Sequence, residues 1–247
     1  MSVNEDSELR WSRVHLEQTA STNDVCKTLP PWSAVTADFQ TRGRGRFGRS
    51  FVCGRGGLWL SASLPAPGPA EIWAGFSLRV GGSLLGYLKS LGLSSARLRW
   101  PNDILCGPRK LAGLLIEQSS NGSMIVGIGL NVFNEPWSDA PELRETATRL
   151  MDWMSPPDLD DLACGILESL AEAHRLMQVG GLRAAIEELN AHWTDPVPVE
   201  ISLLGGGAVR GSFLGLAPNG HLQLLDSRGE VFLVEHPMVE RLRELEA

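Results

Sequence analysis

The residues best suited to chemistry lie in one short window. Gly43-Arg44-Gly45-Arg46-Phe47-Gly48-Arg49 sits inside a stretch from Phe39 to Ala70 that holds no Asp or Glu, and Arg42 and Arg55 bring its arginines to five. Glycine lets backbone N–H groups approach an anion closely, and guanidinium forks donate in pairs to carboxylate or phosphate oxygens. The window therefore suits a ligand with several negative charges; a solvated surface loop is the alternative reading of the same residues. It also matches G-x-G-x-x-G, but a dinucleotide fold needs a helix directly after the glycines, and here Phe51, Gly56, Gly57 and a strand follow. H-R-D, D-F-G and G-x-x-x-x-G-K-[ST] are absent, which excludes the kinase and P-loop readings.

A second constellation is Arg99-Trp100-Pro101-Asn102-Asp103 followed by Lys110-Leu111-Ala112-Gly113. Pro101 is expected to stop a strand, leaving Asn102 and Asp103 just beyond its end, and Lys110 to open the next strand after a turn at Gly107-Pro108. A carboxylate there suits Mg²⁺ on a polyphosphate, and a lysine suits a phosphorus under attack. A Pro-Asn-Asp turn with surface charges explains the same residues. The third element, Gly127-Ile128-Gly129-Leu130-Asn131, places glycines inside an apolar strand, as a close ligand approach or a bulge would require.

The elements that must position these groups follow from the hydrophobic pattern. Val14 and Leu16 alternate as in a strand, Ser21, Thr22 and Asn23 can cap a short helix ending before Pro30, and Ser33 to Gln40 reads as a strand. Thr41 to Gly57 shows no period and is expected to be a loop. Leu58, Leu60, Ala62 and Leu64 recur with period two. Ile72, Phe76, Leu84, Leu85 and Leu88 share a helix face that Gly81 and Gly82 weaken. Ala96 to Trp100, Leu111 to Gln118 and Met124 to Val132 read as strands, the last two joined by Asn121-Gly122. Helices are expected over Leu159 to Met177 and Leu182 to Trp193. Beyond Asp195-Pro196, short strands alternate with Gly205-Gly206-Gly207, Asn219-Gly220 and Arg228-Gly229, the pattern of a small β-barrel. These readings divide the chain into domains over 1–195 and 196–247.

Composition narrows the classes. The 247 residues carry 22 Lys and Arg against 29 Asp and Glu, a net charge of −7, which argues against coating a nucleic-acid backbone. Arg79 interrupts the best membrane candidate between Ile72 and Leu88, so no membrane partner is expected. The opening Met1-Ser2-Val3-Asn4-Glu5-Asp6 is too acidic for a targeting peptide, which predicts a cytoplasmic protein. Cys26, Cys53, Cys106 and Cys164 form no C-x-x-C pair, and the five histidines show no metal spacing.

Taken in order, Ser21-Thr22-Asn23, Gln40 with GRGRFGR, RWPND, KLAG and GIGLN closely resemble biotin protein ligases, the biotin–[acetyl-CoA-carboxylase] ligase family. The motifs run from Ser21 to about Val132, and the C-terminal module is similar to the SH3-like barrel that ends this family. The resemblance implies an α+β fold: a mixed-sheet catalytic domain of the biotin/lipoate ligase kind followed by that barrel. It implies a two-step reaction with ATP and biotin as substrates and Mg²⁺ as helper. Biotinyl-5′-AMP forms first, and a lysine of the biotin carboxyl carrier protein of acetyl-CoA carboxylase then takes the biotinyl group. No covalent enzyme nucleophile is needed, in keeping with the lack of a Ser/His/Asp or Cys/His set.

Carried over by position, Ser21, Thr22, Asn23 and Gln40 would bind biotin's ureido ring. Arg44, Gly45, Arg46, Lys110 and Gly113 would complete the biotin site, and Arg46, Arg49, Phe51, Arg99, Asn102, Asp103 and Asn131 would face ATP. Lys110, Arg46 and Asp103 are the implied catalytic set, with Asp103 the Mg²⁺ contact. Three positions depart from the family: Arg99 stands where lysine is usual, Phe47 where another arginine is common, and Phe51 where tryptophan often closes over adenine. About twenty residues precede Ser21, too few for the DNA-binding domain of the family's repressors, so no nucleic-acid partner is expected. The competing readings are a lipoate-protein ligase, whose fold is related, and a non-catalytic module that captures biotin or its carrier. Oligomeric state has no sequence signature here.

Overall fold

The computed structural model describes residues 11–193, 195–235 and 238–245. The acidic N-terminal hexapeptide and His236 lie outside the described residues. Strands β1 (Ser12–Thr19), β2 (Ser33–Gln40), β3 (Leu58–Leu64), β4 (Ala96–Arg99), β5 (Asp103–Cys106), β6 (Arg109–Gln118) and β7 (Met124–Leu130) form a mixed sheet. Their spatial order is β1-β2-β3-β7-β6-β5-β4. Only β1 and β2 are parallel neighbours, because α1 (Thr22–Cys26) and the following turn return the chain to the same end of the sheet before β2 begins.

Side-chain alternation gives the sheet two different faces. Leu58, Leu60, Ala62 and Leu64 of β3, Ala112 and Leu114 of β6, and Val126, Ile128 and Leu130 of β7 point into the main core. That core is closed by α2 (Phe76–Ser90) and α3 (Leu159–Asn190), whose buried leucines pack over it. The opposite face carries Ser61, Gly113, Glu117, Gly127 and Gly129, residues too small or too polar to make a second large core. Only Cys26, Val35 and Ile125 form a minor cluster there, beneath α1. One face holds the protein together and the other is left as a cup.

Four local outcomes differ from the sequence reading. Asp103 opens strand β5, paired through Arg99↔Asp103 with β4, instead of lying on a loop. Four residues are too few for alternation to announce a strand, and an Asp start argues against one. The stretch 41–57 is an irregular hairpin, bridged at Gln40↔Cys53 and Arg44↔Ser50. Its tip holds Gly45 N–H on the Arg49 carbonyl at 2.7 Å and turns at Phe47 (φ 57°) and Gly48 (φ 70°). The helix expected from Ile72 begins at Phe76, after a left-handed Gly75 (φ 76°), and Ile72 stays exposed. The two later helical stretches meet at Gly181 (φ 61°) within α3.

The C-terminal module is an antiparallel sheet of β8 (Val197–Leu203), β9 (Ala208–Leu216), β10 (Leu222–Leu225), β11 (Val231–Val234) and β12 (Val239–Glu244), ordered β11-β10-β9-β8-β12. It is anchored to the first sheet at several points. Asn190 at the end of α3 donates to the Leu216 carbonyl and accepts from the Leu216 N–H, both at 2.9 Å. Trp193 donates to the Leu98 carbonyl at 3.2 Å and meets Phe213 edge-on. Arg97 of β4 forks onto Glu244 of β12, with both contacts at 2.6 Å. Among the described residues no helix is long and apolar enough to cross a membrane.

Candidate active site

The cup on the polar face of the sheet is a narrow, partly open cleft. Ten of the sequence-predicted residues line it: Ser21, Thr22, Asn23, Gln40, Arg44, Gly45, Phe51, Asn102, Lys110 and Gly113. Residues up to 108 positions apart meet because β2, β3, β7 and β6 are neighbours, and because the strand glycines make room. A methyl group on Gly127 would sit 2.3 Å from Asn23 Oδ1, and one on Gly129 would sit 2.8 Å from the Phe51 ring. Close approach, not a bulge, explains GIGLN.

One end of the cleft is a network of neutral hydrogen-bonding groups. Ser21 stands at the N-cap of α1 without using its side chain as a cap. Thr22 donates its backbone N–H to Gln40 Oε1 at 2.7 Å, and Gln40 Nε2 donates to Cys53 Sγ at 3.0 Å. Ser61 Oγ lies 2.7 Å from Thr22 Oγ1 and 2.5 Å from Asn23 Oδ1, its proton serving one of them at a time. Burial pushes the Cys53 thiol up to about 12, against the lowering effect of Gln40, so it is a neutral lining group and not a nucleophile.

The other end is cationic. Lys110 Nζ lies 2.6 Å from Asp103 Oδ1 and 5.2 Å from the centre of the Phe51 ring. Arg99 donates to Asp103 Oδ2 at 2.7 Å. Burial works to raise the Asp103 carboxyl, but the fields of Lys110 and then Arg99, with a hydrogen bond from each, hold it below the usual carboxylate range. Asn102 is pinned by a 2.7 Å bond from Nδ2 to the Leu114 carbonyl. The Arg44 guanidinium is turned back to the first end: it forks onto Asp24 at 2.7 and 2.8 Å and reaches Glu117 at 2.9 Å, on the oxygen that also holds Asn23, and the Asp24 hydrogen bond raises its pKa further.

Several expected residues lie elsewhere. Asn131 is buried, donating to the Thr148 carbonyl and accepting from Asn134 at 3.0 Å each, so it ties strand β7 to the 148 segment and does not face the cleft. Arg46 and Arg49 turn to the C-terminal module, where they donate to the carbonyls of Val239 at 3.3 Å and Glu240 at 3.1 Å. The expected Mg²⁺ contact at Asp103 does not fit this arrangement, because each carboxylate oxygen already faces a cation. Among the described residues no three His, Cys, Asp or Glu side chains cluster as metal ligands.

Glu117, Ser61 and Cys53 were missed. Glu117 accepts from Asn23, Lys27 and Arg44, joining the helix, the hairpin and the sheet. Its one sequence signal was position: in β6 it shares a face with Gly113, four residues earlier.

Residues 13–132 match the biotin/lipoate A/B protein ligase family. The chain is 33% identical over 220 residues to a biotin–[acetyl-CoA-carboxylase] ligase of Mycobacterium tuberculosis, spanning 85% of this chain and 79% of that one. The chain belongs to the biotin protein ligase family. Against a bifunctional ligase/repressor BirA of Bacillus subtilis the identity is 32% over 126 residues, 49% of this chain, and the match spans 39% of that protein's length. The fold agrees with a biotin protein ligase from Aquifex aeolicus solved with biotin and ATP, at a TM-score of 0.82 and 26% identity over 95% of this chain and 99% of that one. The two sheets thus have the α+β architecture that the motif order implied.

Proposed function

We propose that this chain joins biotin to ATP as biotinyl-5′-AMP and then transfers the biotinyl group to a lysine of the biotin carboxyl carrier protein of acetyl-CoA carboxylase. The observation that carries the reading is the polarity of one cleft. Neutral donors and acceptors on Thr22, Asn23 and Gln40 close one end, and Lys110 with the glycine-rich hairpin stands at the other. A cyclic urea and a carboxylate at opposite ends of one small molecule match that pattern. Lipoate's dithiolane ring offers no N–H or C=O to the first end, which favours biotin over the lipoate alternative.

In the first step a biotin carboxylate oxygen forms a bond to the α-phosphorus, the bond to the β-phosphate oxygen breaks, and pyrophosphate leaves. Lys110 meets the charge that builds on the attacked phosphate, exchanging part of its contact with Asp103 for it. Gly45 and the hairpin it belongs to cover the carboxylate–phosphate junction and keep water from the mixed anhydride, with Arg44 seating the hairpin on Asp24 and Glu117 and Arg46 tying it to the Val239 carbonyl. Phe51, Arg99 and Asn102 are assigned to the nucleotide, with Asp103 holding Lys110 and Arg99 in place. A divalent ion, where needed, arrives on ATP's phosphates as part of the substrate. In the second step the carrier's lysine nitrogen attacks the biotinyl carbonyl and AMP leaves.

We assign this chemistry to residues 1–195 and a separate module to 196–247; pairing of strands only within each sheet supports the division. Four free cysteines support a reducing, cytoplasmic setting. The test is pyrophosphate exchange into ATP with biotin or lipoate as acid. Exchange with biotin alone is expected; exchange with lipoate, or tight biotin binding without exchange, overturns the reading.

A further inference from the structure

Glu117 touches both the neutral end of the cleft, through Asn23, and the hairpin, through Arg44. It sits on β6, where Glu117 pairs with Ile125 and Leu115 with Gly127, so it flanks the glycine gap into which Asn23 fits. Its Oε2 accepts from Asn23 Nδ2 at 2.7 Å and from Arg44 Nη2 at 2.9 Å, and its Oε1 accepts from Lys27 Nζ at 2.9 Å. The side chain is 25% exposed, so these are partly desolvated, charge-assisted bonds.

An asparagine amide is ambiguous, since a half-turn exchanges a donor for an acceptor at nearly the same place. A carboxylate partner removes the ambiguity because it can only accept. With Nδ2 committed to Glu117, Asn23 Oδ1 is turned toward Ser61 and the Gly127 floor, where it stands as an acceptor. A ring urea presents two N–H donors, and a flipped amide would set donor against donor. The same carboxylate shares Arg44 with Asp24, so the amide's orientation and the base of the hairpin are fixed by one group.

We propose that Glu117 is a positioning residue for urea recognition, fixing which way the Asn23 amide faces and coupling that choice to the seating of Arg44. The inference rests on the ligase reading above and adds to it a group that touches neither substrate. Burial alone would raise the Glu117 carboxyl, but its bonds from Asn23, Lys27 and Arg44 hold it below its usual range, so the charge persists at neutral pH.

Biotin affinity of the full chain, by calorimetry, tests this with Glu117→Gln, which keeps the side chain's size but offers an amide that can donate or accept. The expected result is about tenfold weaker biotin binding, equal weakening for desthiobiotin, which keeps the urea, and an ATP KM within about twofold of the wild type. Proteolysis within residues 41–57 should accelerate as Arg44 loses one of its two partners. Glu117→Asp, which keeps the charge on a shorter arm, should recover part of the affinity. Unchanged biotin affinity in Glu117→Gln overturns the proposal while the wild type still exchanges pyrophosphate. So does a uniform loss of biotin binding, ATP binding and thermal stability, or a Glu117→Asp variant no better than Glu117→Gln. A wild type that exchanges no pyrophosphate with biotin overturns the ligase reading and this inference together.

Discussion

Lys110 Nζ lies 2.6 Å from Asp103 Oδ1, and the opposite oxygen of that carboxylate holds Arg99 Nη2 at 2.7 Å. The sheet ladder sets this spacing: Asp103 stands opposite Arg99 across β4 and β5, and opposite Gly113 across β5 and β6. Gly113 leaves room beside it for the lysine, whose Nζ lies 3.0 Å from where a Gly113 methyl would be. One carboxylate thus keeps two cations at the cationic end of the cleft in a chain whose net charge is negative.

Lys110→Ala should therefore act on the chemical step. Removing one preorganised electrostatic donor costs about 10²–10³ in rate, and pyrophosphate exchange should fall by that factor. Biotin affinity should fall much less, because the urea end of the cleft is intact. Near-normal exchange would remove Lys110 from the catalytic set.

Asp103 predicts an acid limb of stability. Its folded pKa is lowered, the fields of Lys110 and Arg99 outweighing burial, while its unfolded value stays near 3.8. A depressed carboxylate stabilises fully above the unfolded value, and that contribution is lost as pH falls through the lowered folded one. The melting temperature should hold steady on this account at neutral pH and drop below about pH 4. Asp103→Asn should flatten that drop and cost about 2 kcal/mol at pH 7, since two cations lose their shared partner but keep some solvent. An acid limb unchanged in Asp103→Asn would place its origin elsewhere.

Arg46 couples the hairpin to the C-terminal module. Its guanidinium reaches the Val239 carbonyl and lies 4.9 Å from the centre of the Phe47 ring. Arg46→Ala should increase escape of the acyl-adenylate into solution, measured as free biotinyl-5′-AMP formed per carrier modified. Equal escape in variant and wild type would mean the hairpin does not act as a lid.

What could be read from the chain depended on whether a residue's meaning was local. Strand β2 was legible to the residue, and the Ser21-Thr22-Asn23 run marked the start of a short helix although Ser21 makes no side-chain cap; that these residues and Gln40 share one cleft followed from motif order and not from a local signal. The partners of Arg46 and Arg49 were not, since they are backbone carbonyls more than 190 positions away, which leave no mark on side-chain type. Glu117 and Ser61 are ordinary strand residues until the register sets them beside the glycine gap. Asn131 misled for the opposite reason: a polar residue closing GIGLN looks aimed at a ligand, yet its amide is consumed by Thr148 and Asn134.

The strand glycines give a paired test of which end of the cleft does what. A methyl group at Gly127 would fall 2.3 Å from Asn23 Oδ1, and the amide is held from behind by Glu117, so it cannot simply rotate away. Gly127→Ala should displace Asn23 and weaken biotin binding by about tenfold or more, the equivalent of ordinary overpacking strain. A methyl group at Gly129 instead meets the edge of the Phe51 ring at 2.8 Å, and that ring is carried by the hairpin and not by the sheet. Gly129→Ala should therefore leave biotin binding nearly intact and raise the KM for ATP as Phe51 is pushed out of place. Calorimetry with biotin and exchange kinetics with ATP read the two effects separately. The reverse pattern, ATP binding lost in Gly127→Ala and biotin binding lost in Gly129→Ala, would invert the assignment of the cleft's ends.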